Sequence, residues 1–194
     1  MTISALIMAG GQGLRMGGKD KGLVRWRGKA FVDYVVEALC PQVDNIAISV
    51  NRNFEEYAER TPNVFTDARQ WQGLGPLAAL ATAACNIQLN MSEWLLIVPC
   101  DTLLLPDDLV ATFIAAAEEE PSVHAFYAET ATQPHYSVMF IRPRLLQSTP
   151  AYLSTGMRTL QGWLEQQHAQ AVQFDNEQNF MNFNSEQEIE KPIC

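Results

Sequence analysis

The sequence predicts an α/β fold: a single three-layer α/β/α domain with a mainly parallel, Rossmann-like sheet. Short β-rich apolar runs alternate with helical stretches along the chain, the pattern of a parallel sheet covered on both faces. Hydrophobic residues make up 47% and charged residues only 18% of the 194 positions, which suits a full core and argues against disorder. No internal repeat or linker divides the chain, so residues 1–194 read as one domain.

The elements follow in order. Ile3–Ala9 is an apolar run that ends at Gly10-Gly11, a buried strand entering a loop. Phe31, Val32, Val35, Val36 and Leu39 recur at helical spacing and predict an amphipathic helix over 31–39. Asn45–Val50 and the short Val64–Thr66 are β-rich. Pro76–Cys85 reads as a buried helix, with proline in its first turn. Trp94–Pro99 is the most hydrophobic strand, followed by a helix over Asp107–Glu119. Val123–Ala128 and Tyr136–Ile141 predict further strands. A helix near Met157–Gln167, a strand at Ala171–Phe174 and a polar helix from Ser185 complete the chain.

Composition narrows the function classes. Thirteen bases against 22 acids give a net charge of −9, with no global affinity for nucleic acid or an anionic membrane. The apolar runs fall far short of the ~20 residues needed to span a bilayer. The N-terminal run has no basic segment before it and breaks at Gly10, unlike a signal peptide. Cys40, Cys85, Cys100 and Cys194 are scattered without a C-x-x-C pair, which fits a reducing cytoplasm better than a zinc site or a disulfide framework. The three histidines, His124, His135 and His168, lack metal-site spacing; only His135, beside Pro134, is a candidate substrate contact.

Charge is unevenly distributed. Residues 1–30 hold six bases and one acid, a local +5, on a body whose remaining 164 residues total −14. A solvated surface stretch would look the same, and so would a site for a small polyanion. The loop between Ala9 and Lys21 favours the second reading. It nearly fits the P-loop through Gly13, Gly18 and Lys19, but Asp20 stands where a magnesium-binding hydroxyl is required. It also misses G-x-G-x-x-G, because Met16 occupies the third glycine position. Gly10, Gly11 and Gly13 can bring consecutive backbone N–H groups up to a triphosphate, and Arg15 and Lys21 can neutralise its charge. A tight β–α turn would also use glycine, though it has no need of so many bases. In a parallel sheet, ligands bind outside the carboxyl ends of the strands, and Gly10-Gly11, Asn51, Asp67 and Cys100-Asp101 occupy such ends. An acid at the end of the most hydrophobic strand is costly to bury unless it binds something, which makes Asp101 the candidate Mg²⁺ ligand; helix capping is the alternative.

The run Met8-Ala-Gly-Gly-x-x-x-Arg-Met-Gly-Gly-x-Asp-Lys21 closely resembles the signature of the molybdenum cofactor guanylyltransferases, within the nucleotide-diphospho-sugar transferase-like group. Later landmarks come in the same order: Asn51-Arg52, Asp67, Gly75-Pro76-Leu77-Ala78, Pro99-Cys100-Asp101, Gln133-Pro134, Gly156-x-Arg158 and Phe180-x-Asn182-x-Asn184. The chain departs at Ala79, where the family has glycine, at Thr102-Leu103 after the central aspartate, and at Ser49, where some relatives have asparagine.

The resemblance implies transfer of GMP from GTP to the terminal phosphate of molybdopterin with release of pyrophosphate, dependent on Mg²⁺. It implies nucleotide contacts from Met8, Ala9, Gly10, Gly11, Gly13, Lys21, Ser49, Asn51, Asp67, Gly75 and Asp101. Arg15, Lys21 and Asp101 are then the catalytic set and Asp101 the metal ligand, while Asn182 and Asn184, where related transferases often carry a second magnesium aspartate, are substrate-binding residues or weaker metal contacts. Asp67 could accept paired bonds from the donor edge of guanine; an N-cap or loop-turn role fits its position nearly as well. Partners would be the two substrates, with transient contacts to cofactor-biosynthesis and acceptor proteins. Rival readings are a cytidylyl transfer to molybdopterin, a sugar-phosphate nucleotidyltransferase, or a nucleotide-binding adaptor without turnover.

Overall fold

The computed structural model describes residues 1–11 and 20–183. Gly13, Arg15, Asn184 and the polar helix expected from Ser185 lie outside the described residues.

The strands are β1 (Ile3–Met8), β2 (Arg25–Trp26), β3 (Lys29–Ala30), β4 (Asn45–Val50), β5 (Val64–Thr66), β6 (Trp94–Pro99), β7 (Ala125–Glu129), β8 (Pro134–Ile141) and β9 (Gln170–Gln173). Seven of them form one sheet in the order β5-β4-β1-β6-β8-β7-β9. The pairs β5/β4, β4/β1, β1/β6 and β7/β9 are parallel, whereas β8 runs antiparallel to both β6 and β7. Its reversal has a local cause. Only Thr130–Gln133 separates β7 from β8, and so short a link can close a hairpin but cannot make the crossover a parallel pair needs.

The helices are α1 (Phe31–Leu39), α2 (Phe54–Ala58), α3 (Pro76–Ala83), α4 (Ile87–Asn90), α5 (Leu109–Glu119), α6 (Thr149–Ser154) and α7 (Leu160–Gln166). Strand periodicity sorts their contacts into two layers. Ala5 and Ile7 of β1 and Leu96 and Val98 of β6 join Phe31 and Val35 of α1 and Phe113 of α5 in one core. The alternate residues Leu6, Leu95 and Ile97 join Leu77 and Leu80 of α3, Tyr152 of α6 and Trp163 of α7 in the other. Trp94, 2% exposed, stacks on Phe140 at 4.7 Å between ring centroids. Truncating so large a buried aromatic costs ~3–5 kcal/mol.

The expected strands and long helices are present, with shifted ends. The helix expected to reach Cys85 stops at Ala83, and the one expected from Met157 starts at Leu160, where Thr159 caps it by accepting the Gly162 N–H at 3.2 Å. The β2–β3 ribbon was not legible, because two-residue strands carry no periodicity. It turns through Arg27 and Gly28 at φ +50° and +87°. Among the described residues no helix is long and apolar enough to cross a membrane.

Candidate active site

The carboxyl ends of β1, β4 and β5 open onto a cleft of about 650 Å³. Met8, Gly10, Gly11, Asn51, Asp67 and Gly75, all expected from the sequence, line it together with Arg52, Gln72, Gly73, Pro76 and Ala79. One hydrogen-bond network joins the three strand ends. The Asn51 amide donates to a carboxylate oxygen of Asp67 and to the Gly10 carbonyl, each at 2.8 Å. The Ser49 hydroxyl donates to the other Asp67 oxygen at 3.2 Å, and Gln72 donates to the Asp67 carbonyl at 3.3 Å. Asp67 is 5% exposed; burial pushes its carboxyl above the usual range, while the bonds from Asn51 and Ser49 oppose that rise. Glycine is required at position 10 by this approach, since a Cβ there would lie 2.7 Å from the Asn51 amide nitrogen.

The cleft floor turns through Gly73 and Gly75 at φ +79° and +78°, both in the left-handed region, before Pro76 opens α3. Ala79, standing where the family has glycine, is 5% exposed and puts its methyl into the wall in the first turn of α3.

On the next strand, Asp101 follows the end of β6 and is 7% exposed. Lys21, in a single 3₁₀ turn over Lys21–Leu23, donates to Asp101 Oδ2 as a hydrogen-bonded ion pair. Phe183 N–H donates to the Asp101 carbonyl at 3.1 Å, and the Thr102 hydroxyl donates to Asn182 Oδ1 at 2.9 Å. The terminal described segment is thereby stitched to the β6 end, bringing the exposed Asn182 beside Asp101. Among the described residues no group of three His, Cys, Asp or Glu could cage a metal. Asp101 offers a hard carboxylate oxygen, the donor type magnesium takes when it arrives with phosphates and needs only one or two protein carboxylates.

A second cavity of about 620 Å³ shares Pro76 with the first and is lined by Gln133, Pro134, His135, Arg158, Phe180 and Asn182 among others. Arg158 is held by the carbonyls of Leu153 and Met157 at 2.7 and 2.6 Å. The His135 ring lies on Phe180 at 4.9 Å, with Nε2 3.1 Å from the Thr130 hydroxyl. Burial pulls its pKa below the ordinary imidazole value.

Not every expected residue reaches the cleft. Ser49 is 0% exposed and acts behind Asp67, and Ala9 is buried with its N–H on the Ser49 carbonyl. Of the described bases in the +5 segment, Lys21 reaches the site, while three others occupy the β2–β3 ribbon. There Lys29 pairs with Glu37 at 2.5 Å, Arg27 sits 4.4 Å above Trp26, and Arg25 donates to the Gly28 carbonyl. Cys100 is buried, and burial pushes its thiol up, which disfavours the thiolate a nucleophile needs. Arg52 and Gln72 escaped sequence reasoning as lining residues. For Arg52 the signal was adjacency to Asn51; Gln72 gave none, since it lies in an irregular loop.

A nucleotide-sized cleft at the carboxyl ends of parallel strands, with a lysine–aspartate pair beside it, is where a Rossmann-like α/β protein binds its ligand. Residues 5–171 match the MobA-like NTP transferase domain. The chain is 50% identical over 191 residues to the molybdenum cofactor guanylyltransferase of Neisseria meningitidis serogroup C, covering 98% of this chain and 100% of that one. It is 38% identical over 184 residues to the molybdenum cofactor guanylyltransferase of Shewanella pealeana, covering 94% and 90%. The fold matches molybdopterin-guanine dinucleotide biosynthesis protein A from Archaeoglobus fulgidus with a TM-score of 0.72 at 16% identity, over 96% of this chain and 94% of that one. The chain belongs to the molybdenum cofactor guanylyltransferases, a family of MobA-like nucleotidyltransferases.

Proposed function

We propose that this chain transfers GMP from GTP to the terminal phosphate of molybdopterin, in the cytoplasm and with Mg²⁺, forming molybdopterin guanine dinucleotide and pyrophosphate. The observation that carries the reading is the Gly10–Asn51–Asp67 network lining one cleft beside the Lys21–Asp101 pair. Family membership supports the choice of guanine and of the pterin acceptor. Free thiols at Cys40, Cys85 and Cys100 suit a reducing compartment.

An acceptor phosphate oxygen attacks the α-phosphorus of GTP in line. The new P–O bond forms as the bond to the β-phosphate bridging oxygen breaks, and pyrophosphate leaves with that electron pair. No covalent enzyme intermediate is needed, so positioning and charge compensation carry the rate. Asp67 and Asn51 hold the strand-end backbone that meets the nucleoside, and Asp67 offers its remaining lone pairs to guanine's donor edge. Lys21 compensates charge on the triphosphate, and Asp101 would hold the magnesium, which supplies further compensation there. The second cavity takes the pterin, with Arg158 and Asn182 toward its phosphate and Pro76 at the junction of the two sites.

Pyrophosphate release measured with molybdopterin and each of GTP, CTP and ATP tests the reading. GTP should be used at least ~100-fold better in kcat/KM, the discrimination a site achieves when it hydrogen-bonds a particular polar edge. A preference for CTP would remove the base-reading role from Asp67, and absence of turnover with every nucleotide would leave only a binding protein.

A further inference from the structure

Asp20 directly precedes Lys21, and its carboxylate is held by side chains from the stretch after β4. Its side chain is 6% exposed. Oδ1 accepts the Tyr57 hydroxyl at 2.5 Å, Oδ2 accepts the Asn53 amide at 2.9 Å, and the Arg52 guanidinium lies 3.7 Å from Oδ2. All three partners belong to the connection after β4 and to α2, the stretch that also carries Asn51. Asp20 makes no capping bond to its own 3₁₀ turn, so its side chain is not serving as a local helix start.

The partners are themselves fixed. Tyr57 is fully buried, and burial pushes its phenol well above the ordinary value, so it stays a proton donor to Asp20. Asn53 holds a left-handed backbone at φ +52°, which orients its amide. Gly22 completes the arrangement: a Cβ there would overlap the Tyr57 hydroxyl. The turn closes through Leu23 N–H to the Asp20 carbonyl at 3.1 Å and Val24 N–H to the Lys21 carbonyl at 3.3 Å. A lysine has a long stem, and holding its ammonium in one place costs rotamer entropy unless its backbone is anchored.

We propose that Asp20 is a positioning residue for the transfer reaction: clamped to Asn53 and Tyr57, it fixes the turn from which Lys21 meets Asp101 and the triphosphate. The inference rests on the phosphate role proposed for Lys21.

Asp20→Ala, Lys21→Ala and the double variant form a cycle that separates the two claims. Asp20→Ala should lower kcat/KM for GTP at least ~10-fold, as misplacing a charge-compensating group does, and leave the KM for molybdopterin unchanged. In the Lys21→Ala background the same change should cost less than ~2-fold, because the group it positions is gone. Asp20→Asn, which can still accept the Tyr57 proton, should recover part of the loss. If Asp20→Ala does not fold, Tyr57→Phe substitutes for it in the cycle, and GTP binding by calorimetry reads the cycle where turnover is too slow. A damaging Lys21→Ala whose loss simply multiplies with that of Asp20→Ala overturns the clamp alone. An unchanged Lys21→Ala overturns the phosphate role of Lys21 and the clamp together.

Discussion

The two halves of the sheet build their cavities by different means. Across β5, β4, β1 and β6 all strands run one way, so the residues after their carboxyl ends meet without further instruction: Gly10, Asn51, Asp67 and Asp101 are each the first polar or glycine positions past a strand. Across β8 and β7 one strand is reversed. Its amino end, Pro134 to Ser137, therefore lies beside the carboxyl end of β6 and lines the second cavity, with Arg158 arriving from the loop before α7. The first cavity is a hydrogen-bonded network of small residues; the second is a wall with an imidazole on an aromatic ring and one anchored guanidinium. A parallel sheet makes a site as a consequence of its topology, whereas the mixed edge needs a hairpin and long loops to do so.

That contrast predicts where substitutions strike. Asp101→Asn should have the largest effect, lowering kcat by ~10²–10³-fold with the fold intact, the loss typical when a charged group at a phosphoryl centre is neutralised. Near-normal turnover in saturating Mg²⁺ would remove Asp101 from the reaction. Gly10→Ala comes next. Its methyl displaces the Asn51 amide and strands a buried Asp67 oxygen, worth ~1–3 kcal/mol, so the KM for GTP should rise about tenfold or more while the KM for molybdopterin holds.

The smallest effect is on stability. Burial holds His135 below its ordinary pKa of 6.5, so on acidification the unfolded chain takes up that proton first. Stability is full above pH ~6.5 and declines as pH falls from there toward the lowered folded value. His135→Asn should flatten that decline by about a degree or two in Tm between pH 7.5 and 5.5. An identical pH profile in the variant would show that the ring is not desolvated.

The same contrast explains what the sequence disclosed. Apolar runs bounded by glycine, asparagine or a lone acid marked β1, β4, β5 and β6, and with them Gly10, Asn51, Asp67 and Asp101, because in a parallel half the polar residue after a strand is the site residue. The direction of β8 was not legible, since periodicity says nothing about polarity, and the expected strand ends left seven residues between β7 and β8 where the structure leaves four. The role of Ser49 was legible as position but not as depth: a serine one residue before a strand end looks like a contact, and only the register puts it behind Asp67. The basic ribbon misled in the opposite way. Arg25, Arg27 and Lys29 swell the local charge, yet the Gly28 carbonyl, Trp26, Tyr34 and Glu37 engage them, and none of the three bases lines the cleft. Asp20 was legible as part of the loop signature but its role was not, and Tyr57 was silent, because what joins them is a contact across 37 residues.

The division of labour between the two halves is tested most directly by two-substrate kinetics of Asn51→Ala and Arg158→Ala side by side. The account predicts a crossed result: Asn51→Ala raises the KM for GTP ~10-fold or more and leaves that for molybdopterin within ~2-fold, and Arg158→Ala does the reverse. Both variants shifting both constants alike, or Arg158→Ala acting on GTP, would contradict it.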